Sequence, residues 1–138
     1  MESHAMRDPS LEEIDGRPWG DPPADATRLV AVVHRLRRVP IGRLDVEGLR
    51  LLIGQREGLP ALVPLALERL EADPLAEGDY YPGDLLAAVL AVPSAYWQDH
   101  PEQRNRLSGV LTSIGDRRSE AGFDIDAAVA SFRSALER

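Results

Sequence analysis

Apolar residues recur along this chain at intervals of three and four, the spacing that lines one face of an α-helix, and no strand-length segment alternates apolar with polar. The pattern predicts an all-α fold, a single compact domain of about six or seven short helices. Ser10 followed by Glu13 fits a capping box, so a short helix starts there and stops at Gly16. The stretch Arg17 to Pro23, RPWGDPP, holds three prolines and Gly20 and reads as an extended or turned connection. With Asp25 as a cap, Ala26, Leu29, Val30, Val33 and Leu36 share one face of a second helix, and Arg28 and Arg35 stand one above the other on the far side. Pro40 and Gly42 end that element. Asp45 then caps a helix whose Val46, Leu49, Leu52 and Ile53 face inward, closed by Gly58.

Pro60 suits the first turn of a helix running to about Ala72, while Pro64 imposes a kink or a later start. Leu75 to Gly83 is rich in turn residues, and a helix from Asp84 through Val92 follows before Pro93 stops it. Ser94 starts one short turn through Trp97. Pro101 opens a helix that stacks Leu107, Val110, Leu111 and Ile114 and ends at Gly115. In the tail, 116–138, Asp124 caps a stripe of Ile125, Ala128, Val129, Phe132 and Leu136. Residues 1–9 lack periodicity and read as a disordered, tag-like leader, which leaves 10–138 as the domain.

Composition narrows the chemistry. The chain has no cysteine, so disulfides, thiolate metal sites and cysteine nucleophiles are absent, and a cytoplasmic setting is the simplest expectation. No run of about 18 apolar residues occurs to span a membrane. The net charge of −7 is unevenly placed. Acids dominate from Asp8 to Asp25, arginines from Arg28 to Arg56, and acids again from Glu68 to Asp84. All 16 basic residues are arginine. The Arg35, Arg37 and Arg38 cluster reads as a solvated face, its alternative being a regulatory or adaptor domain that grips nucleic acid through arginines.

Enzyme signatures are missing: there is no Gly-x-Ser-x-Gly elbow, no His-Glu-x-x-His, no phosphate loop and no dinucleotide fingerprint. His34 and His100 read as structural, Trp19 and Trp97 as core or cover residues. No enzyme activity, cofactor, metal or small-molecule substrate is expected. The informative stretch is DPLAEGDYYPGDLL, where Asp73, Glu77, Asp79 and Asp84 surround Tyr80 and Tyr81 and Pro82 stiffens the backbone. Its spacing does not suit a calcium loop, which needs oxygens at alternate positions around a central glycine. One reading is a loop in which Asp79 or Asp84 caps the next helix and one tyrosine lies on the core. The other is a protein-binding surface, since tyrosine offers large contact area at low entropy cost and carboxylates meet a basic partner.

The order of SLEEIDG, the Trp19-Gly20 step, RLRRVP, GLRLLIGQ, GLPALVPLALERL and DPLAEGDYYPGDLL resembles immunity proteins of bacterial contact-dependent growth inhibition (CDI), over about residues 10 to 114. The resemblance implies a small cytosolic inhibitor, encoded beside its toxin, that forms a heterodimer with the toxin's C-terminal domain. Such toxins are often nucleases, tRNases among them, and nuclease domains are commonly basic because they grip phosphates. It implies no nucleic-acid or membrane partner. The tail beyond Gly115 lies outside the resemblance.

Overall fold

Local capping chemistry decides where four of the helices begin. The computed structural model describes residues 7–137, and within them the chain forms eight α-helices, two 3-10 segments and no strand. Helix α1 is Leu11–Asp15, α2 Arg28–Leu36, α3 Val46–Gly54, α4 Leu59–Ala72, α5 Asp84–Leu90, α6 Ser94–Asp99, α7 Pro101–Ile114 and α8 Ile125–Leu136; the 3-10 segments are Ile41–Arg43 and Gly115–Glu120. Both halves of the Ser10–Glu13 capping box form, and Gly16 closes α1 in the left-handed conformation. Asp45 and Asp124 cap α3 and α8 by accepting from the backbone N–H of Gly48 and Ala127. At α2 the cap is Thr27, not Asp25: its hydroxyl accepts from the Val30 N–H. A threonine directly before the helix fits the required offset, and Asp25 stands two residues too early.

Helix α4 is the centre of the molecule. It packs against α3, α5 and α7, and Leu62, Val63, Ala66, Leu67 and Leu70 form its fully buried stripe. Pro60 sits in its first turn, and the helix runs unbroken through Pro64, so the start is not shifted. Each large aliphatic side chain so buried contributes about 1.5–3 kcal/mol of transfer free energy. Helices α3 and α5 pack on each other, and α8 closes the core by lying across α5 and α6. There Phe132 meets the fully buried Trp97 edge-on at 5.8 Å. The tail is thus part of the core.

Residues 1–6 of the expected leader lie outside the described residues, but Arg7–Pro9 is tied into the domain rather than loose. The Arg7 and Pro9 carbonyls accept from the N–H groups of Gly42 (2.9 Å) and Ile41 (3.0 Å), and Arg7 pairs with Glu68. Leu11 is buried against Gly58, whose left-handed φ of 60° and contact with the Leu11 side chain leave no room for a Cβ.

Two expectations for α2 fail. Leu29 and Val30 remain about two-fifths exposed, and only Val33 and Leu36 of the predicted face are buried. The reason is tertiary: α2 lies at the rim of the domain, leaning on α3, so half of its apolar stripe has nothing to cover it.

Candidate functional site

The loop between α4 and α5 is fixed from beneath by two carboxylates. Asp84, the first residue of α5, is 2% exposed, and its carboxylate accepts from the backbone N–H of Gly78 at 2.7 Å and of Tyr80 at 3.1 Å. It does not cap the helix, where Gly83 occupies the N-cap in a left-handed conformation. Glu47, on α3, accepts from the Asp79 N–H at 2.9 Å and from the Arg50 Nε at 2.7 Å. The Arg50 hydrogen bond and charge, helped by the Asp79 N–H, hold the Glu47 carboxyl below its ordinary value against the opposing effect of burial. Arg50 extends the network in two directions, 3.8 Å from Asp84 and 4.6 Å from the centre of the Tyr80 ring.

The six residues expected to meet a partner are therefore placed differently. Tyr80 is 70% exposed on top of Arg50, with Glu77 and Asp79 exposed beside it. Asp73 is exposed but is shared with Arg117 at 3.4 Å. Tyr81 is half-buried, its ring 6.0 Å from Phe123 and its side chain against Gly122, so the tail covers it. Asp84 is a correction: it is an inward residue that orders the loop and has no surface to offer.

Across from Tyr80 stands α2. Arg28, Leu29, Val32 and Arg35 form one wall of a cleft of about 430 Å³, with Asp79 and Tyr80 on the other and Glu47 and Leu51 beneath. The order of acids, arginines and acids along the chain does not by itself show that these arginines face the acidic loop.

The arginine cluster is no common face either. Arg37 is 1% exposed, correcting its reading as solvated. Its guanidinium donates to Asp15 (2.8 and 3.0 Å), Glu57 (2.9 Å) and the Arg17 carbonyl (2.9 Å), and Trp19 covers it at 4.5 Å. Arg38 pairs with Asp21 and Glu12. Only Arg35 is left exposed and without an ion pair among the described residues. The spacing did carry a signal, because Arg37 follows Val33 by four and Leu36 by one, on the buried side of the helix. His34 and His100 hold backbone carbonyls, those of Gly20 (3.2 Å) and Tyr96 (2.8 Å). Among the described residues no cluster of side chains suits a metal ion, and no helix is long and apolar enough to cross a membrane.

Fold and surface define a small all-α domain that presents an ordered loop bearing an exposed tyrosine and two exposed carboxylates that have no ion-pair partner among the described residues. The sequence pattern of the CDI immunity proteins matches residues 13–107, and the chain belongs to that family. Its role is immunity against a CDI toxin, which it binds. The matched span runs from α1 into α7 and contains the loop and α2; α8 lies beyond it. No curated protein and no solved structure matches the chain.

Proposed function

We propose that this chain neutralises the C-terminal domain of its toxin, a nuclease of the tRNase kind, by docking the 77–81 loop against it in the cytoplasm without catalysis of its own. The observation that carries the reading is Tyr80: a large aromatic side chain 70% exposed yet fixed by a cation beneath it and by hydrogen bonds from its own backbone N–H and that of Asp79. Ordering such a loop in advance removes an entropic cost from binding. Glu77 and Asp79 supply charge for a basic nuclease, Asp73 and Tyr81 lie at the margin, and Asp84 holds the loop in shape. The division of the arginine cluster, with Arg37 inward and Arg38 paired, supports a protein rather than a nucleic acid as the partner.

The test is association with the C-terminal domain of the neighbouring toxin. Affinity is expected to be nanomolar or tighter, on the order of −12 kcal/mol, because a leaking toxin kills its host. Joint reversal of Glu77 and Asp79 to arginine slows association most at low salt, and Tyr80→Ala speeds dissociation at a loss of about 2 kcal/mol. Folded variants that bind the toxin and protect a toxin-expressing cell as well as the native chain does would show that the loop is not the interface. A gel shift with non-specific DNA and RNA at low salt is expected to show no complex.

A further inference from the structure

Among the described residues five large apolar side chains remain exposed, and four of them border the two clefts that flank α2. Trp19 is 40%, Leu29 39%, Val30 40% and Tyr80 70% exposed. Leu29 stands on the ridge between the clefts. On one side lies the cleft shared with Tyr80; on the other, a smaller one of about 130 Å³ lined by Trp19, Val30, Val33 and Glu57 among others. Single exposed apolar residues are ordinary, whereas a group of them rimmed by charge marks an interaction surface.

The charges on the rim identify the occupant. Arg28 and Arg35 are exposed and have no ion-pair partner among the described residues. Seven residues apart, they lie two turns from each other along the helix, about 10 Å at 1.5 Å per residue. A second copy of this chain packed two-fold about Leu29 would bring the same patch to itself and set arginine against arginine. A partner carrying carboxylates on either side of an apolar side chain satisfies both arginines and covers Leu29. We propose that the α2 ridge is a second contact surface for the toxin, and that the toxin meets it with acidic residues around an apolar anchor. This rests on the immunity reading above and deepens it. The loop engages bases and the helix engages acids, so the interface carries both signs.

The experiment uses the full chain and the C-terminal domain of the neighbouring toxin, with rates measured at low and high salt. The variants are the double reversal Arg28→Glu with Arg35→Glu, the single change Leu29→Glu, and separately the loop reversal Glu77→Arg with Asp79→Arg. All of these side chains are exposed, so melting temperatures should stay at the native value. The helix double reversal is expected to slow association about tenfold at low salt and by less at high salt, and Leu29→Glu to speed dissociation about tenfold or more. Association that is unchanged or faster in the double reversal overturns the proposal, since faster association means that α2 faces bases. A native dimer in light scattering that Leu29→Glu converts to monomer also overturns it, with a second copy as the occupant. Helix variants that bind normally while the loop reversal loses binding remove this contact and leave the loop reading standing. The opposite result sustains this contact and removes the loop.

Discussion

Arg37 offers the sharpest test of how the N-terminal third is attached. Replacing it with methionine keeps most of the side-chain volume and deletes the charge that holds Asp15, Glu57 and the Arg17 carbonyl together. Removing one partner of a buried ion pair costs about 3–5 kcal/mol, because a charge is left behind in a poor solvent. Here the acids left behind are not sealed in: the side chains of Asp15 and Glu57 are 35% and 24% exposed. Water can reach them, which places the cost near the lower end, about 3 kcal/mol. Loss of the stacked Trp19 adds about 0.5–1 kcal/mol. Among the described residues Arg37 Nε has no hydrogen-bond partner, so its removal returns a little. A domain with about 5–15 kcal/mol in total would melt roughly 10 °C lower.

Thermal melting by far-ultraviolet dichroism measures the loss, and tryptophan emission locates it. Trp97 is fully buried and reports on the core, while Trp19 reports on the arginine it covers. A red shift below the melting transition is expected in the variant, as Trp19 leaves its seat before the core opens. Melting within about 2 °C of the native chain, with unchanged emission, would refute the assignment of Arg37 as the pin.

The acid side of the stability profile follows from three carboxylates. Burial pushes Asp15 up, but the Arg37 and Arg17 interactions more than reverse it and leave the group below 3.8; Arg50 holds Glu47, and Arg106 holds Glu71, below 4.5. Each native value lies below the unfolded one, so the stability gained is complete above about pH 4.5 and is lost as pH falls through the native values. A melting temperature as high at pH 3 as at pH 6 would contradict this. At the other extreme, burial pushes Tyr96 up to about 12, so its neutral form stabilises the fold below pH 10 and that contribution is lost as pH rises through the native value. Absorbance titration should show a late-titrating tyrosine that Tyr96→Phe removes. Asp84→Ala leaves the Gly78 and Tyr80 N–H groups without an acceptor, at a cost of about 1–3 kcal/mol, and should speed hydrogen exchange in the loop more than in α3.

Legibility in the sequence followed the range of the interaction. The capping box at Ser10, the caps at Asp45 and Asp124 and the proline starts of α4 and α7 are written within four residues of where they act, and all of them form. The fate of α2 was not so written. Its apolar stripe is long enough for full burial, but how much is covered depends on which other helices pack against it, which no local pattern states. Arg37 and Arg38 are neighbours of the same type, and what separates them is that the fold brings Asp15 and Glu57 to one of them. Likewise, the composition of the 73–84 segment showed an acidic aromatic loop but not which acid turns inward. That choice belongs to Arg50 and Glu47, which stand more than 20 residues earlier in the chain.

This long-range placement changes what the charge means. In sequence the chain is acid, then base, then acid, and a net charge of −7 suggests a surface that attracts any basic protein. In space, part of the basic block is consumed internally by Arg37 and Arg50, and of its exposed arginines Arg28 and Arg35 stand across a cleft from Asp79 and Tyr80. A uniformly basic partner would be drawn to the loop and repelled by the helix. Only a surface with both signs in the matching order satisfies the two walls at once, and any shifted register opposes like charges at a cost of several kcal/mol. Discrimination against the wrong toxin would then come from repulsion as much as attraction, which suits an immunity protein whose task is to stop one toxin tightly.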